Sequence, residues 1–265
     1  MGDASGAEYT EELVALLTTL WGEGFLSPGG PEEIAEILQG SDLRGKRVLD
    51  VGCGAGGIDL LLARRYGAAE VVGVDVEAPA LASARALIAR HGLGDQVSFH
   101  QVEPGPLPFP DGSFDVVFSK DAVVHIPDKE AWCRDVYRVL RPGGLVMASD
   151  WMRCDEEPPS EEMLSYMAAE GLSFTMRSLP RYGDALRDAG FVDISLRDRN
   201  AWYAELVQRE LETLRGPLFE KLCTLAGRAE TERNVLVWER LCVVVCSGEL
   251  RPAHFRGSKP GTVAA

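Results

Sequence analysis

A glycine-rich segment between an apolar run and a helical pattern restricts the fold of this chain more than any other feature. Residues 47–51 (RVLDV) lead directly into Gly52-Cys53-Gly54-Ala55-Gly56-Gly57, and residues 58–66 then repeat apolar side chains at helical spacing. Glycine permits positive φ and a close approach of the backbone to a ligand, while the helix start offers free N–H groups. The segment therefore predicts a strand, a ligand-binding loop and a helix in succession, a pattern that also occurs in nicotinamide-dependent enzymes.

Short strands and helices alternate from about residue 45 to residue 200. Such alternation is typical of a parallel sheet that is covered by helices on both faces, so the sequence predicts an α/β fold. The predicted strands are residues 47–51, 70–76, 97–102, 114–119, 144–150 and 192–196, and the predicted helices are 58–66, 78–91, 129–140, 182–189 and 202–225.

The flanking segments predict additional elements around this core. Residues 8–21 carry leucines at helical spacing and a second helix starts near residue 32, so residues 1–44 are predicted to form an N-terminal helical flap. The rest, 45–265, is predicted to form one domain, with an inserted lid at about 151–180. Residues 235–246 fit either a helix or a strand, and the segment after residue 249 fits a strand that ends in a frayed tail.

Composition excludes several classes of partner. The 265 residues contain 41 acidic and 27 basic side chains, a net charge of −14. This charge argues against binding to nucleic acid or to an anionic membrane surface, but a local pocket can still take an anionic small molecule. No apolar run is long enough to span a bilayer, the first nine residues lack the pattern of a signal peptide, and the six cysteines form no CxxC pair. We therefore expect a cytoplasmic protein with reduced thiols that acts on a small molecule.

Acidic residues flank the glycine-rich segment and indicate the type of cofactor. Asp50 precedes the loop, and Asp75 closes the next predicted strand, where a carboxylate can accept hydrogen bonds from both hydroxyls of a ribose. The segments DVGCGAGG, VVGVDVE, FSKDAVVHIPD and RVLRPGGLVMASD occur in the order that resembles class I S-adenosylmethionine-dependent methyltransferases. The last two do not belong to nicotinamide enzymes.

This resemblance covers about residues 45–195. It implies a Rossmann-like, mostly parallel seven-stranded sheet and S-adenosyl-L-methionine as the cofactor. The residues that it implies around the cofactor are Asp50, Gly52, Cys53, Gly54, Asp75, Val76, Glu103, Ser119 and Ser27.

A narrower resemblance extends over nearly the whole chain. The segments LWGEGFLSPGG (20–30), SKDAVVHI (119–126) and YGDALRDAGF (182–191) are similar to the phosphoethanolamine N-methyltransferases of plants and parasites. That similarity implies a catalytic pair at Tyr9 and His125 and a substrate-side carboxylate at Asp121. The family's two basic phosphate anchors fall on Glu170 and on about Leu241 here, so these anchors do not carry over to this sequence.

The substrate-site residues also resemble those of geranyl diphosphate C-methyltransferases. A tryptophan (Trp151) follows the fifth strand, Glu170 lies in the insertion, and Trp202-Tyr203 start a late helix. Methylation of an alkene produces a carbocation, which aromatic rings stabilise and which a carboxylate must then deprotonate. The substrate residues predicted on this basis, together with those of the flap, are Trp151, Trp202, Tyr203, Phe174, Asp121, Trp21 and Arg181.

Three functions follow from these resemblances. The first is C-methylation of a prenyl diphosphate in isoprenoid biosynthesis, with Glu170 as the base, Tyr9 and His125 near the reacting group, and Mg²⁺ on the diphosphate. The second is N-methylation of a small amine or amino alcohol with Tyr9, Asp121 and His125. The third is a methyltransferase fold that serves as a cyclase or as a binding protein without methyl transfer. Packing in the core is the structural alternative for each of the aromatic residues, and surface exposure is the alternative for Glu170 and Arg181.

Overall fold

Seven strands form one sheet at the centre of the molecule. A computed structural model of the chain describes residues 11–171 and 174–261. The strands are β1 Arg47–Val51, β2 Glu70–Asp75, β3 Val97–Gln101, β4 Phe114–Lys120, β5 Leu140–Arg153, β6 Val192–Asp198 and β7 Leu250–Ser258. Their order is β3-β2-β1-β4-β5-β7-β6, with β1 to β5 parallel and β7 antiparallel to both of its neighbours. The predicted mostly parallel seven-stranded α/β sheet is confirmed.

Helices cover both faces of this sheet, and successive apolar residues of each strand pack on opposite faces. Leu49, Val72 and Val117 belong to one buried cluster, whereas their neighbours Val48 and Val71 belong to another. The helices of the chain are α1 Glu11–Trp21, α2 Gly30–Ile37, α3 Gly57–Arg64, α4 Ala78–Arg90, α5 Lys129–Val139, α6 Glu161–Glu170, α7 Leu179–Ala189, α8 Asn200–Arg215, α9 Phe219–Ala226 and α10 Arg228–Cys246.

A third apolar cluster forms a helical cap, which we define as α1, α6, α8, α9 and α10. Its buried core joins Leu16 of α1, Tyr166 of α6, Tyr203 of α8, Leu222 of α9 and Trp238 of α10. The cap therefore combines parts of the predicted flap and lid with three later helices that sequence analysis did not assign to it. Burial of this shared cluster is what brings the distant segments together.

Two element predictions require correction, and the structure decides a third that the sequence left open. The fifth strand continues to Arg153 because β7 pairs with it along its whole second half, up to the Arg153–Leu250 pair. The predicted helix 202–225 is two helices, because Gly216 and Pro217 interrupt the backbone hydrogen bonds. Residues 235–246 lie in α10, where Val244 and Val245 are buried while Val243 is exposed.

The cysteines and the lengths of the helices complete the description of the fold. All six cysteines are free thiols. Within residues 11–171 and 174–261, every helix is too short or too polar to cross a bilayer.

Candidate active site

A cavity of about 900 Å³ lies between the helical cap and the carboxyl ends of β1, β2 and β4. Ligands of open α/β sheets bind at this edge, because the loops that follow parallel strands converge there. The glycine-rich loop, the residues after β2 and the residues after β4 line one part of the cavity, and aromatic side chains of the cap line the other. The two parts have different chemistry.

The glycine-rich loop forms the floor of the first part. Gly52 has φ of +77°, and a Cβ atom there would lie 2.1 Å from the Cβ of Ala122, so only glycine fits. The N–H groups of Gly52 and Cys53 donate to the carbonyl of Val74 at 2.8 and 3.1 Å. The loop is therefore held flat against β2, with space above it for a ligand.

Asp75 connects the end of β2 to this loop. Its Oδ2 accepts the N–H of Gly54 at 2.8 Å, and its Oδ1 accepts the N–H of Glu77 at 2.9 Å. Burial raises the pKa of this carboxyl, and the backbone hydrogen bonds oppose that rise. A carboxylate fixed beside a glycine loop suits the two hydroxyls of a ribose, so these residues fit a nucleoside cofactor.

Most of the predicted cofactor residues line the cavity. They are Gly52, Cys53, Gly54, Asp75, Val76, Glu103 and Ser27.

Two predicted cofactor residues lie beneath the cavity instead of facing it, which corrects the expectation. Ser119 is buried and donates to the carbonyl of Val51 at 2.8 Å, so it joins β4 to β1. Asp50 is fully buried, and neither of its oxygens has a hydrogen-bond partner in the described part of the chain. Burial, reinforced by the neighbouring carboxyl of Asp59, raises the pKa of Asp50 well above its usual value. Both residues support the loop from below.

Lys120 is a cavity residue that sequence analysis missed. Its Nζ donates to the hydroxyl of Ser27 at 2.8 Å and to the carboxylate of Asp121. The backbone of Asp121 has φ of +56°, a left-handed conformation that an aspartate adopts only where the surroundings enforce it. The salt bridge therefore fixes the predicted substrate carboxylate next to the flap loop. The only available signal was the position of a lysine at the end of an apolar strand.

His125 ends a short 3-10 turn, Val123–His125, after β4, and its side chain lines the cavity. Lys129 stabilises this turn by donating to the carbonyls of Val123 and Ile126. Asp150 accepts the N–H of Val124 at 3.1 Å from the other side. The turn is thus held by two buried ionisable groups. Tyr9, the predicted partner of His125, lies outside the described residues.

Glu170 is the last residue of α6, and it lines the cavity with its side chain largely withdrawn from water. Burial raises the pKa of its carboxyl to about 7, and the nearby Arg233 opposes that rise. Leu241 of α10 also lines the cavity. The two positions onto which the sequence resemblance maps basic phosphate anchors therefore both face the cavity, one with an acidic and one with an apolar side chain.

Six aromatic side chains surround the second part of the cavity, and we call them the aromatic wall. They are Trp21, Trp151, Tyr166, Phe174, Tyr203 and Trp238. The ring pairs differ in geometry. Trp151 and Tyr203 meet edge to face with centroids 4.9 Å apart, Trp21 and Trp238 are tilted at 5.8 Å, and Tyr166 and Phe174 are stacked at 6.4 Å. Tyr166 and Trp238 were not predicted as site residues. The periodicity of residues 235–246, which contain Trp238, fitted either a helix or a strand, and no local pattern singled out Tyr166.

Two predicted substrate residues do not reach the cavity. Trp202 packs against Gly29 under the guanidinium of Arg199, 4.8 Å from its ring, and lies outside the cavity lining. Arg181 is exposed and forms a salt bridge with Glu130 at 3.0 Å, so the expected contact with a diphosphate is wrong. The orientations of their helices place Trp202 and Arg181 outside the cavity, and the spacing of residues in the sequence did not reveal those orientations.

The described residues provide no recognisable set of ligands for a divalent cation. Among the described residues, no group of three or more histidine, cysteine or carboxylate side chains is placed to hold a metal ion. The prediction of Mg²⁺ is therefore not supported by the residues present.

Comparison with known proteins agrees with this geometry. A family model described as a methyltransferase domain matches residues 48–144. A phosphoethanolamine N-methyltransferase of Triticum aestivum is 34% identical over 243 residues, which cover 91% of this chain and 46% of that protein. This chain thus spans about half the length of that curated relative.

Solved structures show the same fold. Phosphoethanolamine N-methyltransferase 2 of Haemonchus contortus, solved with phosphomonomethylethanolamine and S-adenosylhomocysteine, matches 96% of this chain and 59% of that one, with a TM-score of 0.88 and 25% identity. Geranyl diphosphate C-methyltransferase of Streptomyces coelicolor matches 97% of this chain and 88% of that one, with a TM-score of 0.66 and 17% identity. The second likeness is one of fold alone.

Proposed function

This chain carries the methyltransferase domain and the fold of S-adenosylmethionine-dependent enzymes, and we propose that it methylates the nitrogen of a small amine without a phosphate group. Several relatives in sequence are named as phosphoethanolamine N-methyltransferases, and they favour the amine over the prenyl diphosphate that sequence analysis placed first. The proposed acceptor differs from theirs because Glu170 and Leu241 stand where the resemblance places the two basic phosphate anchors.

The acidic side chains of the cavity carry this proposal. Asp121 and Glu170 both line the cavity. An acceptor that carries a phosphate group would instead require positively charged side chains at these positions. Lys120 forms a buried salt bridge with Asp121, which offsets its positive charge. Arg134 and Arg138 of α5 also line the cavity, and Arg138 pairs with Asp111 and Asp135. An anionic phosphate beside Glu170 would be repelled, whereas a protonated amine would be attracted. The acceptor that fits is an amine or amino alcohol.

The cofactor site is proposed at the glycine-rich loop. Asp75 would hold the ribose, Gly52 and Gly54 would allow the methionine part to approach, and Lys120 with Ser27 would receive its carboxylate. Bound S-adenosylmethionine supplies an electrophilic methyl group. Positioning of the acceptor and exclusion of water by the cap would then provide most of the rate enhancement.

An ammonium must lose one proton before its nitrogen can accept a methyl group. His125 lines the cavity on a turn that Lys129 and Asp150 hold, and imidazole is the usual base near neutral pH. We propose His125 as the acceptor of this proton, with Asp121 orienting the ammonium. Tyr9 is proposed to assist His125, as the resemblance implies.

Transfer of a labelled methyl group to candidate acceptors tests the proposal. We expect label on ethanolamine or its N-methylated forms, at a higher kcat/KM than on the corresponding phosphate esters. His125→Ala should reduce kcat by about 100-fold or more while leaving cofactor affinity unchanged. Transfer only to the phosphate esters would overturn the choice of acceptor. Tight cofactor binding without release of S-adenosylhomocysteine, whatever the acceptor, would favour a cyclase or a non-catalytic binding protein.

C-methylation of a prenyl diphosphate is the second candidate, and the aromatic wall beside Glu170 favours it. Four of the five predicted residues of a carbocation site line the cavity, namely Glu170, Trp151, Tyr203 and Phe174 but not Trp202. A carboxyl with a pKa of about 7 also suits the final deprotonation. Incubation with labelled cofactor and geranyl diphosphate, with and without Mg²⁺, distinguishes the two candidates. A methylated prenyl product that is lost in Glu170→Gln would establish the second.

A further inference from the structure

A buried carboxylate lies directly behind the aromatic wall. Glu210 of α8 is 5% exposed and does not line the main cavity. Its Oε1 accepts the indole N–H of Trp21 at 2.7 Å, and its Oε2 accepts the indole N–H of Trp238 and the hydroxyl of Tyr203, both at 3.1 Å. One carboxylate therefore binds the polar edges of three wall residues, whose ring faces are left for the cavity.

The three donors come from three different helices of the cap. Trp21 ends α1, Tyr203 and Glu210 belong to α8, and Trp238 lies in the middle of α10. Indole N–H groups can only donate hydrogen bonds, so both tryptophans require an acceptor at this position. In a site for a neutral hydrocarbon, phenylalanine could replace these tryptophans, and it would need no buried charge as a hydrogen-bond acceptor.

We propose that Glu210 is a positioning residue that makes the aromatic wall selective for a cationic acceptor, as distinct from a neutral one of the same shape. This inference rests on the amine acceptor proposed above. It extends that proposal by assigning the recognition of positive charge to the wall and to the carboxylate behind it.

Two physical effects give Glu210 this role. An anion that accepts an N–H or O–H bond from an aromatic ring pushes electron density into the ring, which strengthens the attraction of its face for a cation. The same negative charge also acts directly through the low-dielectric cap. Burial raises the pKa of the Glu210 carboxyl, and the hydrogen bonds from Trp21, Trp238 and Tyr203 together with the charge of Lys120 oppose that rise and favour the anion. Lys120 is itself paired with Asp121. The surplus charge of the cluster is therefore negative.

Binding of an isosteric pair of probes tests the inference. The probes are choline, a quaternary ammonium, and its neutral analogue in which a carbon atom replaces the nitrogen. Dissociation constants are measured by calorimetry on the full chain saturated with S-adenosylhomocysteine. We expect the wild-type protein to bind choline about tenfold more tightly than the analogue. Glu210→Gln, which has the same shape without the charge, should reduce this preference to about twofold or less.

A matched control separates charge recognition from packing. Glu33 of α2 is equally buried and accepts hydrogen bonds from His254 at 2.6 Å and from Arg199 at 2.6 and 3.0 Å, outside the cavity lining. Glu33→Gln therefore removes a comparable buried charge elsewhere, and we expect it to leave the preference for choline unchanged. If Glu210→Gln fails to fold, Trp21→Phe removes one donor of the cluster and should lower the preference by a smaller factor.

The outcomes are distinct. Weaker binding of both probes by the same factor in Glu210→Gln would show a packing role and overturn the inference, as would an unchanged preference or equal affinities in the wild type. Methyl transfer to an amine with an unchanged preference in Glu210→Gln would refute the inference alone. A preference for choline that depends on Glu210, without methyl transfer to any amine, would refute the proposed function alone.

Discussion

The backbone N–H of Gly54 donates to Oδ2 of Asp75 at 2.8 Å, so the loop after β1 and the end of β2 form one continuous surface. The partner on the other oxygen is the N–H of Glu77 at 2.9 Å. Both hydrogen bonds fix the carboxylate from the backbone side. Its remaining lone pairs point to the cavity, where a ribose would provide two hydroxyl donors.

Replacement of Asp75 should affect the cofactor far more than the fold. Asp75→Ala removes the charged acceptor for two hydroxyls, and charged hydrogen bonds contribute about 1.5–3 kcal/mol each. We expect the affinity for S-adenosylhomocysteine, measured by calorimetry, to fall by about 30-fold or more. Asp42→Ala, which breaks an exposed pair with Arg44, is the control and should leave this affinity unchanged. Equal affinities in the two variants would place the ribose elsewhere.

Glu170 should destabilise the folded protein above neutral pH. Burial raises the pKa of its carboxyl from 4.5 to about 7, so between these values the folded state binds more protons than the unfolded chain. The free energy of unfolding therefore falls as pH rises from about 4.5 to 7, and the loss stays at higher pH. Glu170→Gln should unfold with a free energy on the order of 1–3 kcal/mol higher than the wild type at about pH 8, and the gain should disappear below about pH 4.5.

Chemical denaturation across this pH range measures the effect. Glu162 is exposed on the same helix, so Glu162→Gln should follow the pH profile of the wild type. A Glu170→Gln profile parallel to that of the wild type would show that the carboxyl remains hydrated, and it would weaken its assignment as a group poised near neutral pH.

The core of this fold was predictable because its signals are local. The loop at Gly52 and Gly54 follows a buried strand, and Asp75 ends the next one, so a short window of sequence contains the loop and the carboxylate that it contacts. The cap was not predictable in the same way. Trp21 and Trp238 meet at one carboxylate although more than two hundred residues separate them, and neither has a local pattern that reveals the contact. Burial of a shared apolar cluster decides that pairing, and periodicity does not report it.

The same dependence on tertiary packing explains why Trp202 and Arg181 were expected in the cavity but lie outside it. Trp202 and Tyr203 are adjacent, so they project about 100° apart on α8, and only Tyr203 faces the cavity. Arg181 begins α7 on the exposed side and meets Glu130 of α5. The residue type identified candidates for the site, but the orientation of each helix determined which of these side chains line the cavity.

Lys129 should prove necessary for the turn that carries His125. Its buried ammonium donates to the carbonyls of Val123 and Ile126. Lys129→Met removes both hydrogen bonds, and the carbonyl of Val123 then keeps only the N–H of Ile126 at 2.9 Å. We expect a loss of about 2–4 kcal/mol in the free energy of unfolding, together with a lower kcat. Urea denaturation at neutral pH measures the loss. Lys46, exposed before β1, provides the control Lys46→Met, for which we expect less than about 0.5 kcal/mol.

The pH dependence gives a second readout for Lys129. Burial lowers the pKa of its ammonium from 10.5 to about 8, so between these values the unfolded chain binds more protons than the folded protein. The contribution of this group therefore makes the wild type gain stability as pH rises from about 8 to 10.5. Lys129→Met should lack that contribution, whereas Lys46→Met should retain it. An unaltered rise in Lys129→Met would mean that the ammonium is hydrated and does not hold the turn.

Reversal of charge at position 170 should change the acceptor that the cavity prefers. Glu170 lies at the C-terminus of α6 and faces the cavity, so Glu170→Arg places a cation at a helix end that tolerates positive charge. A guanidinium there can bind a phosphate through two hydrogen bonds, while the neighbouring Arg233 already pairs with Glu230 at 2.6 Å. We expect the ratio of kcat/KM for phosphoethanolamine to that for ethanolamine to rise by about tenfold or more, chiefly through a lower KM for the phosphate ester.

Glu162→Arg makes the same change of net charge on the exposed side of α6, and it should leave the ratio near that of the wild type. If Glu162→Arg raised the ratio as much as Glu170→Arg, the overall field of this acidic protein would select the acceptor, and the carboxylate inside the cavity would not.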